Sequence, residues 1–549
     1  MNLPTPAIVA ERGAQRLPRL ALLLFCAAYV LPGLFGRDPW RNADLTAYGF
    51  MASIAEGHAP WWKPAIAGIA AEGGPLPYWI GALAIKVLPF LDPAFAARLP
   101  YALALALVLV LTWYSSFHLA RTDAAQPVAF AFGGEAHSVD YARALADGAL
   151  LALIATLGLL QLGHETTPEL LQLLAMSLYL YGLAAAPFRA GKSRWALLIA
   201  LPVMGASGAP LVAMTLALLG AVLCRRSHYE QVRGLMWWLL AAGVLAALSA
   251  WEFRAWAWRI APYRGAVDLG RQVLSLFGWF CWPAWPLALW TLWRWRIHWQ
   301  RRHILVPLVA VLVPILASIL MGGVDRALLL ALPALAVLAA FALPTLKRSI
   351  AALMDWFSVF FFSACALFVW IYYLSMQLGW PAQPLANLRK LMQGFEPSFH
   401  PLALLLAALA TIAWLALVRW RTARHQHALW KSLVLPAGGV ALGWLLMTTL
   451  MLAPLDYARS NTPLVERLRA LLPAEVDCIA APGQALSTLA ALEFQGGWRV
   501  EADKPLSQSR CSHALQAGLA PVPEGWAAAN SVRRPTDRQV GFTLLRRQQ

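Results

Sequence analysis

The feature that most constrains this chain is a succession of long apolar runs. They fall at roughly 19–36, 97–119, 147–163, 169–187, 195–206, 209–224, 234–253, 272–293, 304–321, 327–346, 354–376, 401–419 and 431–453, thirteen in all. A helix needs about 20 apolar residues to cross a bilayer, so most of these runs read as transmembrane helices. The short pair 195–206 and 209–224 reads as a tight hairpin broken at Gly205-Ala-Ser-Gly-Ala-Pro210. With 60% hydrophobic and 13% charged residues and a mean hydropathy of +0.59, the composition excludes a soluble globular protein. The 27 tryptophans suit interfacial anchors.

Charge supports this count of spans. The net charge of +17 would suggest nucleic acid in a soluble protein. Here it reads as positive-inside loops and attraction to anionic headgroups or phosphates. With the basic N-terminus (Arg12, Arg16) in the cytoplasm, the clusters at 189–194, 225–233, 294–302, 347–348 and 419–431 all fall on that side. The exception is 254–271, whose Arg254, Arg259, Arg264 and Arg271 fall outside. The apolar stretch 75–91 carries three prolines and Lys86, and reads as a helix in the outer interface. Counting it as a span would destroy the charge agreement. An odd number of spans puts the C-terminus outside.

The first long break in the apolar pattern is Arg37 to Trp79. Asp44 sits there beside a membrane exit, followed by an amphipathic stretch, Leu45 to Ala55. Gly73-Gly-Pro-Leu-Pro-Tyr-Trp79 then turns the chain back. We take 37–96 as the first outer loop, with amphipathic interfacial helices in it. The tail 454–549 has ordinary polarity, a helix signal from Thr462 to Leu472 and strand-like runs at 476–480, 497–500 and 540–545. It reads as a small outer α/β domain behind a membrane domain of residues 1–453. Four of the six cysteines lie in or beside apolar runs as packing residues. Cys478 and Cys511, in the tail, either form a disulfide or stay as free thiols, according to the compartment. The fold class is therefore mainly α: a polytopic membrane protein with about thirteen spans and a small C-terminal α/β domain.

The segments Asp44-Leu-Thr-Ala-Tyr48, Gly57-His-Ala-Pro-Trp61, Gly74-Pro-Leu-Pro-Tyr-Trp79 and Ala97-Arg-Leu-Pro100 resemble the start of a known family. These are the polyprenyl-phosphate-sugar-dependent membrane glycosyltransferases of the GT-C fold, which include lipid A aminoarabinose transferases and protein O-mannosyltransferases. The segment Asp325-Arg-Ala-Leu-Leu-Leu-Ala-Leu-Pro-Ala-Leu335 is similar to a later family segment. Three departures stand out. The acid that directly follows the family's Asp is Leu45 here, its Lys-Pro-Pro is Gly73-Gly74-Pro75, and its Lys-Gly in the fifth–sixth hairpin is Ser207-Gly208.

The resemblance implies an enzyme of the bacterial inner membrane. It would move a sugar from a polyprenyl phosphate to a lipid or protein acceptor on the periplasmic face. It needs no nucleotide there, and the sequence proposes no metal; His58 has no second ligand nearby. Asp44 is then the general base for the acceptor hydroxyl, with burial raising its pKa; the alternative is a helix N-cap. Tyr48, one turn on, orients the acid or anchors the interface. The family's second acidic position falls on Glu165, with His164 beside it, rather than on Asp147 at the inner end of its helix. The alternative there is a polar turn with Thr167 capping the next helix. Arg254, Arg259, Arg264 and Arg271 either clamp the lipid phosphate or bind headgroups, and Lys63, Lys86 and Arg98 are further candidates. The rivals are a non-catalytic lipid-binding scaffold and, last, a transporter, for which the sequence shows neither repeats nor paired midplane charges.

Overall fold

The computed structural model describes residues 5–253, 255–256, 261, 265–423, 428–518, 521–537 and 541–548. Among them six helices are long and apolar enough to cross a membrane: Pro93–Ala120, Glu230–Glu252, Arg302–Leu320, Arg348–Leu378, Pro401–Thr422 and Lys431–Thr449. The protein is thus a multi-pass membrane protein. The other apolar runs are shorter or broken helices. The run 147–163 splits at Thr156, whose backbone is extended, and the next N–H, that of Leu157, donates to Trp282 O (3.1 Å). The run 272–293 splits into two helices bent by 97°.

In chain order, α1 (Arg19–Val30) leads into the first loop, with α2 (Ala43–Glu56), the hairpin β1 (Ala65–Ile66) and β2 (Ile69–Ala70), and α3 (Leu76–Val87). The bundle follows with α4 (Pro93–Ala120), α5 (Ser138–Ala155), α6 (Leu157–Leu162), α7 (Pro168–Ala185), α8 (Ala190–Ala206), α9 (Pro210–Arg225), α10 (Glu230–Arg233) and α11 (Leu235–Glu252). Its second part is α12 (Ala266–Phe280), α13 (Ala284–Arg294), α14 (Arg302–Leu320), α15 (Asp325–Leu329), α16 (Leu332–Ala340), α17 (Arg348–Leu378), α18 (Ala382–Leu391), α19 (Pro401–Ala423) and α20 (Lys431–Thr449).

α5 and α16 form the centre. Every residue of α16 is buried, as is α5 from Ala144 to Ala155. Both are rich in alanine, and small side chains let helix backbones approach closely where lipid supplies no hydrophobic drive. At the rim the contrast is sharp: the apolar window of α20 is 78% buried and that of α19 only 11%. α19 therefore turns its leucines to lipid.

At one end of the bundle, α21 (Leu452–Arg459) and α22 (Thr462–Leu471) lead into a five-stranded sheet. Its strands are β3 (Cys478–Ala480), β4 (Arg499–Glu501), β5 (His513–Ala517), β6 (Trp526–Arg533) and β7 (Gly541–Arg547), and α23 (Leu486–Ala490), between β3 and β4 in the chain, packs against α2. The order is β4-β3-β5-β7-β6. β3 runs parallel to β4 and β5, and β7 antiparallel to β5 and β6. Cys478 and Cys511 are bonded, their Cα atoms 5.2 Å apart. The sequence signals for β3, β4 and β7 correspond to strands. Those for β5 and β6 were missed, because Ala, Asn and Ser dilute their alternation.

The first loop is covered on one side by the sheet domain. α2 is enclosed, with nine of its fourteen residues buried. The sheet domain sits on it: a Cβ at Gly49 would lie 2.6 Å from that of Ala490, so only glycine admits this approach. His58 Nδ1 meets Glu493 Oε1 (3.0 Å), and the Ala67 N–H of the hairpin donates to Glu493 Oε2 (3.2 Å). Arg41 pairs with Asp537 at 3.0 Å.

Candidate functional site

The site lies beneath the sheet domain, where the first loop meets the α6–α7 turn. α1 ends in a short loop in which Asn42 takes a positive φ of 69°. Asp44 follows in the first turn of α2, 1% exposed. It does not cap α2, because its carboxylate is engaged elsewhere. The Thr166 N–H and hydroxyl donate to Asp44 Oδ1 (2.7 and 2.9 Å). The Trp40 N–H donates to Oδ2 (3.1 Å), and Arg37 Nη1 lies 3.3 Å from Oδ2. Burial alone would raise its pKa, but the Arg37 and Arg98 charges and the Thr166 and Trp40 N–H groups hold it below the usual carboxylate range. This corrects the expectation of a raised pKa: burial is outweighed by cations and donors. Asp44 is a fixed anion here.

Arg37 is itself buried and donates from Nη2 to the His164 carbonyl (2.7 Å). The α6–α7 turn thus presents His164, Glu165 and Thr166 to the first loop from 122 residues away. Glu165 is 3% exposed and held differently. Gln161 Nε2 donates to its Oε1 (2.9 Å) and Arg326 Nη2 to its Oε2 (2.6 Å). Burial, with the Asp44 charge adding to it, pushes Glu165 up in spite of Arg326. Arg326 also reaches Glu169 (3.4 Å) and the Thr167 hydroxyl (3.3 Å). Although burial works the other way, Glu169 and Glu165 keep it charged. The two carboxylate centres therefore adjoin through consecutive residues, Glu165 and Thr166.

The His164 ring is wedged between main-chain carbonyls, Nδ1 at 2.7 Å from Leu160 O and Nε2 at 2.8 Å from Tyr29 O, and packs on Trp444 at 4.6 Å. Burial pushes it down to about 4, and a neutral ring donates to only one of these carbonyls at a time. It braces the turn against α1. Asp147 lies elsewhere, accepting from the Leu17 N–H (2.9 Å) and the Trp113 indole (2.8 Å). Tyr48 is half-buried one turn beyond Asp44, and burial with the Asp92 and Glu56 charges keeps its hydroxyl protonated.

Of the cations expected to hold phosphate, Arg98 is 5% exposed. It donates from Nη1 to Leu34 O (3.5 Å), and its Nη2 has no partner among the described residues. It lines a small crevice with Val30, Gly33, Tyr101 and His164. Arg271 is exposed on α12, next to Gln272, which donates to Gly323 O (3.4 Å). Lys63 is exposed on the turn before β1, and Lys86 stacks on Trp61 at 5.4 Å. Arg254, Arg259 and Arg264 lie outside the described residues. Of the described residues in that stretch, Ala255 packs near Gly74 and Ala261 near Gly322. A side chain at Gly74 would run into the Ala206 carbonyl, so the chain where the family carries lysine closes on the α8–α9 corner.

Sequence reasoning missed Arg37, Arg326, Asp456 and Arg459. The Trp40 indole donates to Asp456 Oδ1 (2.7 Å), and its ring has Arg37 on one contact at 4.7 Å and Arg459 on another at 5.0 Å. Arg326 stood inside a quoted family-like segment, but the acids it serves come from another part of the chain.

Fold and site together describe a helical membrane bundle whose buried acids meet under a sheet domain. That fold is found in ArnT from Cupriavidus metallidurans. The chain matches its structure bound to undecaprenyl phosphate with a TM-score of 0.61, at 14% identity, over 96% of this chain and 97% of that one. The apo structure of the same protein gives 0.59 and 14%, over 95% and 97%. The GT-C fold implied by the sequence resemblance is thus the fold observed. No family model matches the chain, and no curated protein matches it in sequence.

Proposed function

We propose that this protein is a membrane glycosyltransferase that moves a sugar from a polyprenyl-phosphate carrier to a lipid or protein acceptor. The observation that carries this reading is the meeting of two buried carboxylate centres, Asp44 and Glu165, in a chain with the fold of a protein crystallised with undecaprenyl phosphate. By the positive-inside reading, the sheet domain and the site face the periplasm and the N-terminus the cytoplasm of a bacterial inner membrane.

The reaction is a single displacement. The acceptor oxygen bonds to the anomeric carbon as the bond from that carbon to the phosphate oxygen breaks, and the carrier leaves as polyprenyl phosphate. The acceptor proton passes to a carboxylate. Asp44, ionised and fixed, is the first choice for that base, and Glu165 with Arg326 forms the second centre. Arg326, Arg271 and the arginines of 254–264 stabilise the departing phosphate. His164 and Tyr48 hold the acids in place.

One observation favours a non-catalytic lipid-binding scaffold: both Asp44 oxygens are already engaged. The deciding experiment is transfer from radiolabelled polyprenyl-phosphate sugars to an envelope extract by purified protein in liposomes, beside Asp44→Asn and Glu165→Gln. Transfer by the wild type that folded Asp44→Asn loses supports the enzyme and its base. A folded wild type inactive with every donor supports the scaffold.

A further inference from the structure

The short helix α21 joins the last span, α20, to the sheet domain, yet two of its side chains reach into the site. Asp456 and Arg459 are three residues apart and so share a helix face. Asp456 takes the first centre. Its Oδ1 accepts the Trp40 indole N–H (2.7 Å) and its Oδ2 accepts the Asp38 N–H (3.3 Å). Trp40 in turn donates its own N–H to Asp44. Arg459 takes the second centre. Its Nη1 donates to Gln161 Oε1 (2.6 Å), and the amide of Gln161 donates to Glu165. Both side chains also grip Trp40, one by hydrogen bond and one by cation–π contact at 5.0 Å.

α21 is itself held from both sides. Its last carbonyl accepts the Arg41 N–H of the first loop (2.8 Å), and the carbonyl of Ala458 accepts Arg534 Nη2 from the sheet domain (2.7 Å). Thr462, just beyond it, donates to Asp38 (2.8 Å).

We propose that α21 is a clamp that sets the two carboxylate centres relative to each other, with Asp456 and Arg459 as positioning residues for the transfer reaction. The proposal rests on the transferase reading for its kinetic consequence, but its structural content does not need it. Through this clamp the seating of the sheet domain fixes the geometry in which Asp44 and Glu165 meet a substrate.

The test uses the full-length protein in liposomes and the variants Asp456→Ala, Arg459→Ala and Asp456→Asn, read two ways. Displacing a catalytic group by about 1 Å costs on the order of 100-fold. The alanine variants should therefore lower kcat by roughly 10- to 100-fold with the donor KM within about twofold. Asp456→Asn, which keeps an acceptor for the Trp40 indole, should recover to within about threefold of wild type. Hydrogen exchange should rise over residues 37–45 in Asp456→Ala and over 161–167 in Arg459→Ala, with the sheet domain unchanged. Unchanged exchange in both segments overturns the clamp. So does a rise spread evenly through residues 460–548 with activity falling only as the folded fraction falls. If the wild type transfers no sugar, the transferase reading fails and the exchange pattern alone decides the clamp.

Discussion

Asp44 and Glu165 are nearly equally buried, at 1% and 3% exposure, yet their protonation is pushed in opposite directions. Asp44 is met by two N–H groups, a hydroxyl and Arg37, with Arg98 close enough to add its charge. Glu165 has one amide and one guanidinium, and Arg326 is shared with Glu169. Burial sets the cost of ionising a carboxyl, and the number of donors decides whether that cost is met. Two acids that look alike in sequence thereby become one carboxylate held below the usual range and one carboxyl pushed above it.

The largest expected effect comes from Asp44→Asn. It leaves Arg37 buried without its counter-ion, which costs about 3–5 kcal/mol, and it should abolish transfer. Thermal unfolding separates the two losses, and a partner change Arg37→Gln in the same chain should restore part of the stability but none of the transfer. An Asp44→Asn protein with full transfer would remove Asp44 from the mechanism.

Next is Arg326→Gln, which takes from Glu165 the guanidinium bonded to it. A raised carboxyl pKa gives stability that is full below the unfolded value and lost as pH rises through the folded one. With Arg326 gone the folded value rises further. The variant should therefore lose stability more steeply than wild type from about pH 4 upward, read as Tm against pH. Parallel curves would show that Glu165 is not governed by Arg326.

Thr166→Val should have a smaller effect. It removes the hydroxyl from Asp44 but leaves the backbone N–H, for about 1–2 kcal/mol. Asp44, held below its usual range, contributes stability above its unfolded pKa that disappears as pH falls through the folded one. The variant should lose that contribution at a higher pH than wild type, seen as an earlier acid unfolding midpoint.

The smallest effect is expected from Asp456→Asn. Burial pushes Asp456 up to about 6, with the Asp38 charge adding to it against the Trp40 hydrogen bond and Arg37. The ionised form therefore costs stability as pH rises from about 4 to that value. The asparagine should be more stable at pH 7.5 by about 1 kcal/mol, and the gain should vanish near pH 4. A gain that persists at low pH would show that charge is not its cause.

Much of this was legible from the residues and the resemblance they carry. The first loop stood out because it breaks a strong apolar pattern, and the family resemblance singled out Asp44 within it. The resemblance placed the second acid at Glu165 rather than Asp147, and the structure puts the adjoining Thr166 on Asp44 and Asp147 against Leu17. The two cysteines of the polar tail left disulfide and free thiols open, and the structure bonds them; the helix signal from Thr462 to Leu472 corresponds to α22. The pKa of Asp44 was read with the wrong sign, because burial can be inferred from hydropathy but donors cannot. Trp40 looked like an interfacial anchor, since nothing local shows that its indole meets an acid 416 residues away.

The sequence by itself determined that this chain enters a membrane many times, that a polar domain follows the apolar runs and that Asp44 and Glu165 stand in breaks between those runs. Those properties follow from local hydropathy and charge, which each segment carries wherever it sits. Only the tertiary structure decided that helix α21 reaches both acid centres, that α2 is enclosed beneath the sheet domain, and that the pKa values of Asp44 and Glu165 are pushed in opposite directions. Each of these depends on which distant donors and cations surround a group, and electrostatic energy in a low-dielectric interior depends on those distances rather than on position along the chain.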